Sequence, residues 1–218
     1  MFEKQSAWTN ENLSISTATK LVSHSSFQLM SYETAGELTT VDGRIVGRSR
    51  LALHRRKLNR RAMGAWEIFE ELDSHSDAAM QVGEALLHDY PFDLEHYFNG
   101  SGLLVAEHIE IEPEFRGGSL WRQLYFATLG AAIKPLRKKP VEYFFKAFPL
   151  AFVGNVMDEN CGEFEKALRS LKLMYSIHLG AKQRELSPEF GCFMRAAVPE
   201  GLLDRISATR SANTEQLA

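Results

Sequence analysis

Apolar side chains alternate with a period of two in some stretches and recur every three to four residues in others, and the switches divide the chain into elements. Phe27 to Tyr32 alternates as a strand does, and Glu37 to Val41 and Arg44 to Leu53 flank Asp42-Gly43. That dipeptide predicts a hairpin, because a type I′ turn wants positive φ at both central residues. Gly64 to His88 takes helical spacing, with Trp66, Phe69 and Leu72 on one face and Ala79, Met80, Gly83 and Leu87 on another. The polar run Asp73 to Asp77 breaks it, and Ser74 is the expected cap of its second part.

The second half is more regular. Leu103 to Glu112 predicts a strand that Pro113 stops. Ser119 to Ile133 predicts a helix, with Leu120, Leu124, Ala127 and Ala131 on one stripe. Val141 to Phe148 reads as a dense, buried strand. Glu163 to Leu179 reads as a helix whose Phe164, Leu168, Leu171 and Tyr175 face the core, with Gly180 as its stop signal. Lys182 to Leu186 and Phe190 to Val198 close the order as strands. Strand, helix, strand, helix, strand, strand implies an α/β fold with a mixed sheet and helices packed on its faces.

Both ends are more polar. Residues 1–22, rich in Ser, Thr and Asn, read as a flexible N-terminal arm with room for a short helix. Ser207 to Ala218 reads as frayed, within a tail over 201–218. The expected organisation is one domain over 23–200. A chain of 218 residues, 44% of them hydrophobic, buries enough surface to need no staples. Its 25 basic and 28 acidic side chains leave a net charge of −3, which gives no case for a DNA-coating protein. No stretch approaches ~18 uninterrupted apolar residues, so no membrane partner is expected. Met1 to Ser6 lacks the layout of a signal peptide. Cys161 and Cys192 form neither a C-x-x-C pair nor a zinc spacing, and the expected setting is a reducing cytoplasm.

The segment with chemical content runs from Leu103 to Leu120: a strand, then Arg116-Gly117-Gly118-Ser119, then a helix start. Two glycines and a serine let backbone N–H groups converge at a helix N-terminus, where donors and dipole suit a phosphate or diphosphate. The same turn also has a purely structural reading. By the two-residue period Glu107 shares a face with Val105, Ile109 and Ile111. A carboxylate among apolar side chains is a candidate general base. The alternatives are that Glu107 lies past a bulge, faces solvent or pairs with an arginine. His108 is expected on the opposite face.

The string Ile109-Glu110-Ile111-Glu112-Pro113-Glu114-Phe115-Arg116-Gly117-Gly118 resembles the GNAT superfamily of N-acyltransferases, at the strand that leads into the family's CoA-binding turn. His178-Leu179-Gly180-Ala181 is similar to the end of the family's late helix. The likeness covers roughly residues 103–198. It implies a GNAT-like fold: a mixed, mainly antiparallel central sheet flanked by helices on both faces. It implies transfer of an acetyl or other acyl group from CoA to a primary amine, with acetyl-CoA as co-substrate. On this likeness Ile109 and Ile111 offer backbone groups to the pantetheine arm. Arg116, Gly117, Gly118, Ser119, Leu120 and Trp121 hold the diphosphate. Glu107 is the base. Ser119 and Trp121 stand where the family has small residues, so the turn is degenerate. The family's thiolate-protonating tyrosine has Ser176 in its place, with Tyr175 beside it as the shifted acid or as a core residue. The other reading of the chain is a non-catalytic binding or regulatory module of the same fold.

Three further groups complete the candidates. Arg48, Arg50, Arg55, Arg56, Lys57, Arg60 and Arg61 form a basic run without the aromatic interleaving that nucleic acid would want. Asp73, His75 and Ser76 are triad residue types, but as neighbours they cap a helix or line a groove rather than form a triad. His88, Asp89, Asp93, Glu95 and His96 fit no standard ligand spacing, and no metal is expected.

Overall fold

The computed structural model of the protein describes residues 3–10, 13–22, 28–116, 118–134, 142–147, 162–183, 193–199 and 201–202. Gly117, both cysteines, the ends of the strands expected at 141–148, 182–186 and 190–198, and the tail beyond 202 lie outside them. The chain begins with four strands: β1 (Glu3–Asn10), β2 (Leu13–Val22), β3 (Leu29–Thr40) and β4 (Ile45–Arg56). Three helices follow: α1 (Ala65–Asp73), α2 (Asp77–Asp89) and α3 (Pro91–Asn99). Then come β5 (Leu103–Ile111), α4 (Leu120–Ile133), β6 (Glu142–Lys146), α5 (Gly162–Leu179), β7 (Lys182–Gln183) and β8 (Phe193–Ala197). The described strands form one sheet in the order β1-β2-β3-β4-β5-β6-β8-β7. Neighbouring strands are antiparallel except β5 and β6, which run parallel and are joined through α4.

The α/β expectation of a mixed, mainly antiparallel sheet with helices on both faces therefore holds. Successive residues of β5 explain why. Leu103 and Val105 pack with Ile68, Leu72, Val82, Leu86 and Phe98 of α1–α3. Leu104 packs with Tyr125 and Leu129 of α4, and Leu168, Leu171 and Tyr175 of α5 join that cluster. A stretch such as Leu103–Ala106, apolar at every position, is buried between two layers. No described helix is long and apolar enough to cross a membrane.

The first half departs most from its pattern. Residues 13–22, expected in a flexible arm, are strand β2, paired residue by residue with β3, and residues 3–10 add β1 outside it. The Ser- and Thr-rich composition that suggests an arm suits an edge ribbon, where β-branched threonine fits a half-exposed strand. The two short strands expected around Phe27 to Tyr32 and Glu37 to Val41 are one strand, β3. The hairpin at Asp42-Gly43 exists, but its loop has three residues: Gly43 N–H donates to Thr40 O at 3.0 Å and Gly43 takes φ 87°. This is the turn-plus-bulge alternative to a two-residue type I′ loop.

Among the helices, Ser76 rather than Ser74 caps α2, its Oγ accepting from Ala79 N at 3.1 Å. Ser74 ends α1 instead and donates to Glu71 O. Ile68 and Leu72 carry the inner face of α1, while Trp66 is 62% exposed. Helix α3, started by Pro91, is hidden in a short, charge-rich stretch with only Leu94 and Phe98 buried.

Candidate active site

Strand β5 pairs with β4 through Leu53↔Leu104, Ala52↔Val105 and Leu51↔Ala106, then resumes at Arg50↔His108. Glu107 is the extra residue of a β-bulge. One inserted residue reverses the alternation beyond it. Thus Ile109 and Ile111 join Leu104 and Ala106 on the α4 side, while Val105 faces α1–α3. The expectation that Glu107 shares a face with Val105, Ile109 and Ile111 is corrected: those three do not share a face themselves. His108 lies on the face of its cross-strand partner Arg50, not opposite Glu107, and its Nε2 is 3.4 Å from the Glu110 carboxylate.

The last described pair of β5 with β6 lies next to the bulge. The described β5–β6 pairing comprises Val105↔Phe144 and Ala106↔Phe145, although both strands run on by at least a residue. A bulged strand bends and twists more strongly.

Glu107 is 10% exposed and held from two sides. Arg50 Nε donates to Oε2 at 2.8 Å, and Ser76 Oγ donates to Oε1 at 2.8 Å. Arg50 is 53% exposed and also lies 3.8 Å from Glu33. The arginine-paired, post-bulge alternative is the one found. A carboxylate has about four lone-pair sites, so each oxygen keeps one for a further proton or donor. Behind Ser76, the rings of His75 and His54 are 6.1 Å apart, and His54 Nδ1 is 2.8 Å from Ser31 Oγ. Burial, then the proximity of His75, holds the His54 imidazole down to about 3, so it is neutral at pH 7.

At the other end of β5, Pro113–Phe115 forms a 3₁₀ turn and Arg116 Nε donates to Ile111 O at 2.8 Å, closing the loop. Gly118 takes φ 75°, and a Cβ there would meet nothing within 4 Å, so the glycine serves a left-handed turn beside open space. Ser119 precedes α4 without a side-chain cap, and the first turn of α4 has no acidic residue. That helix start suits an anion. Leu120 and Trp121 pack beside Leu124 and Ile111. The Trp121 ring meets Tyr175 at 6.2 Å and His178 at 5.7 Å, edge to face, so it fills the seam between α4 and α5 instead of standing over Gly118. Tyr175 also meets Phe145 edge-on at 4.9 Å, and burial pushes its phenol up to about 12.

The structure therefore brings Glu107, Ile109, Ile111 and the 116–121 turn onto one strand and its exit. Tyr175 approaches Phe145 from the α4–α5 face, while the Glu107 carboxylate lies on the α2 face. Gly117 is outside the described residues. Sequence reasoning had no means of assembling Arg50 and Ser76 around Glu107; the one local signal was the capping pattern that begins α2. The remaining groups disperse. Arg48 and Arg50 point to the face opposite that of Leu51, and Arg61 pairs with Glu67. Glu95 accepts from Ala65 N, and His88 Nδ1 meets Asp89 Oδ1 at 2.7 Å. Among the described residues no three His, Cys, Asp or Glu side chains gather as metal ligands do.

No family model and no curated protein matches the chain. A solved structure titled as mosquito arylalkylamine N-acetyltransferase like 5b is similar at 9% identity and a TM-score of 0.40, over 75% of this chain and 74% of that one.

Proposed function

We propose that the protein is an N-acyltransferase that moves an acetyl group from acetyl-CoA to a primary amine, with Glu107 as general base. The observation that carries the reading is the bulge at Glu107, next to the last described pair of β5 with β6. It leaves strand edges for an extended arm such as pantetheine to pair with, and the uncapped start of α4 lies at the same end of β5 for the diphosphate. The sequence likeness of residues 109–118 to the GNAT turn agrees with this arrangement. The amine enters from the α2 side and the thioester from the α4–α5 side. Glu107 takes the amine proton, directly or through water, as the C–N bond forms and the C–S bond breaks. The departing thiolate takes its proton from water. A phenol pushed up to about 12 is a poorer acid than a thiol of ordinary pKa ~8.5, so Tyr175 acts in packing.

Acetyl-CoA should raise the melting temperature, since a ligand at 100 times its Kd stabilises the native state by about 2.7 kcal/mol. With an amine found by screening amino acids, polyamines and lysine peptides, Glu107→Gln should lower turnover by about 10²–10⁴-fold while leaving CoA affinity in place. Part of the loss should return at high pH, where more of the amine is neutral. No stabilisation by millimolar acetyl-CoA overturns the reading and leaves the non-catalytic module, which the packed Trp121 and exposed Ser176 favour.

A further inference from the structure

Ser76 does two jobs with one hydroxyl. Its oxygen accepts from Ala79 N at 3.1 Å and so caps α2, and its hydrogen points to Glu107 Oε1 at 2.8 Å. A hydroxyl has one proton and two lone pairs, so the two bonds are compatible and mutually polarising. The cap therefore couples a 13-residue helix to the bulge of β5. Without Ser76, Glu107 keeps, among the described residues, Arg50, a half-exposed and long side chain that Glu33 also attracts. Such a partner fixes charge but not orientation, because an exposed pair samples several geometries.

We infer that Ser76 is a positioning residue: it fixes the orientation of the Glu107 carboxylate at the β5 bulge by anchoring it to the N-terminus of α2. This rests on the acyl-transfer reading for its catalytic consequence, and on geometry alone for the anchor. Capping and anchoring separate by choice of substitution. Glycine is nearly as good a cap as serine, whereas alanine is not. Ser76 has φ −158° and ψ 145°, extended backbone that either residue adopts.

The test uses Ser76→Ala, Ser76→Gly and Ser76→Thr, each alone and with Glu107→Gln, in the full chain. Thermal melts and acetyl transfer from acetyl-CoA to the screened amine are measured together. Ser76→Ala should lower the melting temperature by about 2–4 °C, and Ser76→Gly by less. Both should lower kcat by about 10-fold or more with KM little changed, because a misaimed base costs rate rather than binding. Ser76→Thr should restore both. In the Glu107→Gln background the Ser76 substitutions should leave kcat unchanged. Wild-type kcat in Ser76→Gly, or equal losses in both backgrounds, would overturn positioning while leaving Glu107 as base. Transfer unaffected by Glu107→Gln would instead remove the base. If no amine is turned over, the melts still decide the anchor: additive effects of Ser76→Gly and Glu107→Gln overturn it, and a coupled pair upholds it.

Discussion

Strand β5 changes character within nine residues. From Leu103 to Ala106 it lies between two helical layers, with Leu103 and Val105 in one core and Leu104 in the other. From Glu107 to Ile111 only the α4 side is packed, by Ile109 and Ile111, while Glu107, His108 and Glu110 meet charged or hydroxyl partners on the other. The difference has a mechanical cause. Helices α1–α3 cover only the part of the sheet next to His54, Leu103 and Phe144, and the bulge lies at the edge of that cover. A polar side chain at the margin of a core can be held by few donors and still reach solvent, as a site for proton transfer requires.

If the two halves differ in this way, substitutions should separate them. Leu104→Ala should destabilise by about 2–5 kcal/mol in urea unfolding, since it leaves a cavity against Tyr125 and Leu129. Glu110→Ala, on the same strand, should stay within about 0.5 kcal/mol. Comparable losses at both positions would erase the distinction.

The buried half should also be the pH-sensitive one. His54 has a folded-state pKa lowered to about 3 against an unfolded value near 6.5. Both states are neutral above 6.5. Below it the unfolded chain takes up a proton that the folded chain refuses. Stability from this group is therefore present above pH 6.5 and is lost as pH falls from there toward 3, by up to about 1.4 kcal/mol per pH unit. His54→Gln should flatten the dependence of the urea midpoint between pH 6.5 and 5, which unfolding curves at four pH values would measure. An unchanged slope would assign the sensitivity to other groups.

A small effect belongs to the open half. Arg50→Met should cost about 1 kcal/mol or less at low salt, because Arg50 is half exposed and solvent screens it. The difference from wild type should shrink in 1 M salt. A larger, salt-independent loss would mean that Arg50 supports the core rather than the site.

Much of this fold was legible locally. Leu103 to Glu112, the 119–133 and 163–179 helices and the hairpin at Asp42-Gly43 carry strong periodicity or turn chemistry, and each is present with small shifts at its ends. The arm misled because Ser and Thr suit both loops and exposed ribbons, and only the pairing of β2 with β3 decides between them. The capping serine was off by two residues, because Ser74 and Ser76 both precede the apolar run and the choice depends on which backbone N–H groups α2 exposes.

What the amino-acid order determined by itself is the order of elements from Leu103 onward and the glycine-bearing turn into α4. These follow from nearest-neighbour stereochemistry and from periods that any short segment displays. Tertiary structure alone decided where Glu107 points. The stretch Ala106-Glu107-His108 has no glycine or proline to announce a bulge. The extra residue arises because β4 must match β5 both before and after it, a condition set by side chains some fifty positions apart. The same holds for the partners: Arg50 and Ser76 reach one carboxylate because a strand and a helix cap are packed against the same bulge, and register and packing are properties of the assembled sheet.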